Sequence, residues 1–107
     1  MYKAEDYTYR VFWSEEDSAW IATVDEFDLL SNINDSSQIE AFAGAVELVK
    51  FVLSEMYSDG AIPPEPLALK KYSGNISLRM TPEQHRRITM ESAEQGVSIN
   101  QLLISRI

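Results

Sequence analysis

The chain has no cysteine, one histidine and only four glycines in 107 residues. Without cysteine there is no disulfide framework and no thiolate metal site, a composition suited to a reducing compartment. His85 has no second histidine or cysteine with which to build a zinc site, so it reads as a packed or surface residue and no metal or cofactor is expected. Long apolar runs are also missing. None approaches the roughly 20 residues of a membrane span, and the first residues lack the basic-then-apolar order of a leader. The expectation is a cytoplasmic protein with no membrane contact.

Basic charge is scarce, but only in one half. Residues 1–66 carry three basic side chains, Lys3, Arg10 and Lys50, against fourteen acidic ones, a net of −11. Residues 67–107 carry six basic against three acidic side chains, a net of +3. The overall charge of −8 would argue against nucleic acid, whereas the asymmetry points to two surfaces with two different partners. A hydrophobic content of 45% and a charged content of 24% are those of an ordinary folded protein.

In the first half, Tyr7 to Ser14 alternates aromatic and β-branched residues with polar ones and predicts a strand. Glu15 to Ser18 supplies a turn, Ala19 to Val24 a returning strand, and about Leu29 to Ile33 a weaker third strand. Asp35, Ser36 and Ser37 offer cap side chains for a helix. Ile39, Phe42, Ala43, Val46, Val49, Leu53, Met56 and Tyr57 then recur at three- and four-residue steps, predicting an apolar stripe that ends near Asp59-Gly60. That helix should pack on one face of the small sheet. The prolines of Ile62 to Pro66 make a stiff connector. The boundary is placed there, giving domains 1–66 and 67–107, with part of Leu67 to Tyr72 able to return as an edge strand.

The second half holds one isolated alternating run, Asn75 to Met80. Ile76, Leu78 and Met80 fall on one face, Asn75, Ser77 and Arg79 on the other. Thr81, Pro82 and Gln84 form a helix-start signature directly after it, and Ile88 and Ala93 face inward along the helix to Gly96. Ser98 and Gln101 repeat the signature before a short second helix with Leu102, Leu103 and Ile107 on its apolar side. So small a unit removes too little surface from water to stand alone. A second copy would solve this: two antiparallel strands satisfy each other's backbone, with Ile76, Leu78, Met80, Ile88 and Leu102 as the shared core.

The run NISLRM, then TPEQHRRI, then SAEQGVSIN resembles the ribbon-helix-helix DNA-binding fold of the Arc and MetJ repressors. In that family a two-stranded ribbon enters the major groove. The resemblance implies base contacts from Asn75, Ser77 and Arg79, and phosphate contacts from Ser98, Ile99 and Asn100 at the start of the last helix. Together with YTYRVFWSEED, the long alanine-rich helix, DGAIPPEP and YSG, the chain resembles an antitoxin of the HicB family with a C-terminal ribbon-helix-helix. What this implies is an α+β protein. A small antiparallel sheet packed by one long helix, a partial RNase-H-like fold without nuclease activity, would cover HicA, a basic mRNA-cleaving toxin. The C-terminal part would form a homodimer, or a tetramer of two such dimers, on double-stranded operator DNA and repress its own operon. Glu26-Phe27-Asp28 stands where the family pattern leads one to expect Glu-Phe-Pro, adding charge and removing a rigid turn.

Two other functions are compatible with parts of the chain. Asp25, Glu26 and Asp28, joined by Glu40 or Glu47, are the residue types of a two-metal nuclease, but neighbouring acids on a strand point to different sides, so the chain is read as not an enzyme. The alternative to the antitoxin is a solitary ribbon-helix-helix regulator whose acidic domain binds another protein or a ligand.

Overall fold

The computed structural model describes residues 1–34 and 36–107. It is α+β and divides into two compact units, Met1–Tyr72 and Ser73–Ile107. No helix among the described residues is long and apolar enough to cross a membrane.

In the first unit a short 3₁₀ turn, Ala4–Asp6, leads into three strands, β1 Tyr9–Ser14, β2 Ala19–Val24 and β3 Phe27–Asn34. They form an antiparallel meander in the order β1-β2-β3. The hairpin turn is held by Ser14, whose hydroxyl donates to Asp17 at 3.1 Å and accepts the Asp17 amide at 3.2 Å. β3 begins earlier than the sequence pattern indicates, because Phe27 pairs with Val24 after a register shift and its ring packs 5.1 Å from that of Tyr7.

Helix α1, Gln38–Ser58, covers one face of this sheet. Its cap is Ser37, which accepts the Glu40 amide at 3.0 Å; of the two other cap candidates, Ser36 donates its hydroxyl to the Glu40 carboxylate at 2.7 Å and Asp35 lies outside the described residues. The buried row is Ala41, Ala45, Val49 and Leu53, a four-residue repeat, and this corrects the predicted stripe. Ile39 is 77% exposed, and Ala43 and Phe42 are exposed, the Phe42 ring standing 5.3 Å from that of Tyr9 in a T-shaped contact. Small residues are needed here because the helix lies close to β3: a Cβ on Gly44 would sit 2.1 Å from the side-chain amide nitrogen of Asn32, which donates to the Ala41 carbonyl at 3.0 Å. Toward the C-terminal end Val49 and Leu53 fill against Ala4, Tyr7 and Val24. Gly60, at φ 73°, ends the helix, with the Ala61 amide returning to Met56 at 2.8 Å.

Residues 67–72 belong to this unit but form a turn, not an edge strand. The turn is closed by the Pro66 carbonyl, which accepts the Leu69 and Lys70 amides at 3.1 Å, and it is anchored by Glu26. The Glu26 carboxylate accepts the Thr8 amide at 3.0 Å, the Thr8 hydroxyl at 3.1 Å and the Leu67 amide at 2.9 Å, so the chain after the prolines is tied to the sheet by one side chain.

The second unit consists of α2, Pro82–Gln95, and α3, Ile99–Ile104. Both capping boxes form as the sequence indicates. Gly96 ends α2 at φ 70°, where the Val97 amide reaches the Ser92 carbonyl at 3.0 Å. Leu102 is buried and Ile88 half-buried, but Ala93 is exposed. Ser92 takes the inner place instead, its hydroxyl donating to the Thr89 carbonyl at 3.0 Å, which makes a polar residue tolerable there.

Two core phenols stabilise the first unit in a pH-dependent way. Tyr7 donates to the Pro64 carbonyl at 2.8 Å, and Tyr9 to the Ala4 carbonyl at 2.7 Å. Burial, with added repulsion from Tyr57 and Glu26, pushes Tyr7 up to about 12 from its ordinary 10.0; burial and Glu26 do the same for Tyr9. The folded state therefore keeps protons that the unfolded chain releases, a contribution fully present below pH 10 and lost as pH rises toward 12. Denaturant midpoints followed by the fluorescence of Trp13 and Trp20 are expected to decline across that interval. Tyr7→Phe should decline less steeply, and equal slopes in the two proteins would contradict the assignment.

Candidate nucleic-acid interface

The segment that should read DNA has no secondary structure within the single chain. Among the described residues, no backbone amide or carbonyl from Ile76 to Met80 has a hydrogen-bond partner. The Asn75 amide donates to the Ser73 hydroxyl at 3.1 Å, and the Thr81 amide is held by Gln84 at 3.0 Å, which closes the C-terminal side; before Asn75 the amides of Lys71, Tyr72, Ser73 and Gly74 are likewise without a partner among the described residues. Its side chains are equally uncovered. Ile76 is 91% and Leu78 64% exposed, and Asn75, Ser77 and Arg79 are exposed as well.

Sequence alternation and structure meet at Met80, which is half-buried at the entrance to α2. Leu78, Met80 and Ile88 line an open groove of about 400 Å³, with Gln84 at its edge. Three of the five expected shared-core residues are thus gathered along one groove. Ile76 is exposed and outside its lining, while Leu102 is already buried inside the unit.

The arginines divide into two kinds. Arg86 stands 3.9 Å from Glu83, and Arg106 pairs with Glu91. Arg79 and Arg87 have no ion-pair partner among the described residues, and both line the groove. Arg87 was not separable from Arg86 by sequence. Arg87 stands four residues before Glu91, so the two share one side of the helix and both line the groove.

At the start of α3 the capping box uses two of the groups expected to hold phosphate. The Ser98 hydroxyl accepts the Gln101 amide at 3.0 Å, and the Ser98 amide donates to the Gln101 side chain at 2.9 Å. The amides of Ile99 and Asn100, at the first two helical positions, have no partner among the described residues. These two N–H groups, with the positive end of the helix behind them, are the donors this end can offer an anion.

The acidic unit places its carboxylates differently. Asp25 accepts both Arg10 Nε at 2.7 Å and Arg10 Nη2 at 2.9 Å, a fork-on-fork pair that raises the Arg10 pKa through the hydrogen bond and then the charge. Glu26 is engaged by Thr8 and Leu67 as described. Asp28 is exposed, and among the described residues no three His, Cys, Asp or Glu side chains are grouped as they would be to hold a metal ion. Glu15, Glu16 and Asp17 remain on the surface of the hairpin turn.

A family model described as the HicB family matches residues 57–107, from the last turn of α1 through the connector and all of the second unit. The match covers slightly less than half of the chain, and over that stretch the chain is similar to the HicB family. No curated protein and no solved structure matches the chain.

Proposed function

We propose that this protein is a non-enzymatic, cytoplasmic antitoxin of two modules, in which the first unit covers a basic HicA-like toxin and the second binds operator DNA as a ribbon-helix-helix homodimer. The observation that carries the reading is the unpaired backbone of Ile76–Met80, with exposed Ile76 and Leu78, directly ahead of two capped helices. An exposed strand with unsatisfied groups is a template for another strand. The segment of a second copy is the matching one, since two-fold pairing places Ile76, Leu78 and Met80 of both copies on the same side, over the helices.

The magnitudes favour this arrangement. Fully burying a side chain of this class contributes about 1.5–3 kcal/mol, so the three residues from each copy supply at most roughly 9–18 kcal/mol, less the share that half-buried Met80 already has. Association itself costs about 4–15 kcal/mol in lost rigid-body freedom. Apolar burial is thus of the size needed to offset association, and the backbone ladder adds to it and sets the register. Pairing leaves Asn75, Ser77 and Arg79 on the outer face in duplicate. Arg79 suits a guanine edge, Asn75 an adenine edge and Ser77 either, while Ile99 and Asn100 amides suit phosphate.

The first unit supports the toxin-binding half through charge. Once Arg10 is neutralised by Asp25, only Lys3 and Lys50 offset the other acidic side chains of residues 1–66. Such a surface speeds and orients encounter with a basic partner more than it sets affinity.

Two measurements test the reading. Arg79→Ala is expected to weaken binding to the operator upstream of the gene by about 1–3 kcal/mol and to relax sequence preference; unchanged operator affinity would remove Arg79 from the contact set. Affinity capture of the tagged chain from its own cells, washed at high salt and followed by intact mass, should yield a small basic protein in near-equal amount. Recovery of the chain alone would assign it instead to the solitary regulators.

A further inference from the structure

The first unit contains a second groove, of about 780 Å³, between its N-terminal segment and α1. Its apolar wall is made by Tyr2, Val46, Leu53 and Tyr57, and the size is that of small-molecule sites. The wall is fixed in place: the Tyr57 hydroxyl accepts the Tyr2 amide at 2.8 Å, and the Tyr2 ring meets that of Tyr7 edge-on at 6.3 Å.

The polarity of the groove is opposite to that of the surface around it. Residues 1–66 have three basic side chains, of which Arg10 is taken by Asp25; the other two, Lys3 and Lys50, both line this groove. Glu5 is the one acidic residue in the lining, so its side chains carry a net charge of +1 within a strongly acidic domain. Lys50 reaches Glu47 at 3.2 Å, but both groups are mostly exposed, and such a pair is weak enough to be exchanged for a ligand. Ser54 adds a hydroxyl at the edge.

We propose that this groove binds a small amphipathic anion, a chain or ring of hydrocarbon carrying one carboxylate-class head group. The hydrocarbon lies on Tyr2, Val46, Leu53 and Tyr57, and the head group is held by Lys3 and Lys50. The site also borders the connector, since Tyr7, which packs on Tyr2, donates to the Pro64 carbonyl at 2.8 Å. Occupancy can thus reach the proline segment through two contacts.

The test is calorimetric titration of the full chain with decanoate below its micelle concentration, with decyltrimethylammonium as the cation of equal chain length. Decanoate is expected to bind saturably and the cation not to bind. Lys3→Gln with Lys50→Gln should weaken decanoate by roughly tenfold or more. Ser54→Trp, which fills the groove from an exposed position, should abolish binding while circular dichroism is unchanged. The proposal is overturned if decanoate does not saturate, if the cation binds as tightly, or if neither groove variant alters the affinity.

Discussion

A backbone that cannot satisfy itself governs this molecule. From Ile76 to Met80 the described chain offers amides and carbonyls with no internal partner, and places two large aliphatic side chains in water. The helix starts that follow it are locally complete: the Thr81–Gln84 and Ser98–Gln101 boxes close them, and Gly96 closes the turn between. The contrast is informative because local rules are met from Thr81 onward, whereas Ile76 and Leu78 just before it have no cover. A sequence that leaves two such side chains exposed is expected to recover the loss through something outside the single chain.

The first unit is self-sufficient by comparison. Its sheet is covered on one face by a helix whose contact row grows from alanine to leucine, and the closest approach is set by Gly44 against Asn32. Glu26 then fastens the chain after the prolines to the first hairpin. The other face of the sheet carries Phe12, Ile21 and Ile33, which are direct register neighbours across the three strands. That row is uncovered within the unit, with Phe12 and Ile33 exposed.

Most of this was legible in the sequence where the signal was local. Hairpin, caps and terminal glycines depend on a few adjacent residues, and they appear where those residues stand. The helix stripe holds at Val46, Val49, Leu53 and Tyr57 and fails in its first two turns, because hydrophobicity weights large side chains whereas a helix lying close to a sheet buries small ones; Ala41 and Ala45 carry little signal and Ile39 carries much. The turn at residues 67–72 was illegible for a different reason, since it is anchored by Glu26, forty-one positions earlier than Leu67. Of the expected contact residues, Asn75, Ser77 and Arg79 lie exposed on the unpaired segment, while Ser98 uses its own amide and hydroxyl in its cap. Arg87 emerged only from the groove, because two adjacent arginines look alike until one is seen paired and the other not.

The family match adds weight to the second unit, since it spans all of it together with the connector. The sheet lies outside the match, so the reading of the first unit rests on its charge and its grooves.

The most direct measurement is amide hydrogen exchange across Asn75–Met80 at several chain concentrations. Pairing of this segment with its copy predicts that every second amide exchanges slowly, because alternate groups of a two-stranded ribbon face the partner, and that this protection fades on dilution. If all six amides exchange at the rate of an unstructured peptide while the helices of the same unit remain protected at high concentration, the segment is not a ribbon and the account of the second unit is wrong.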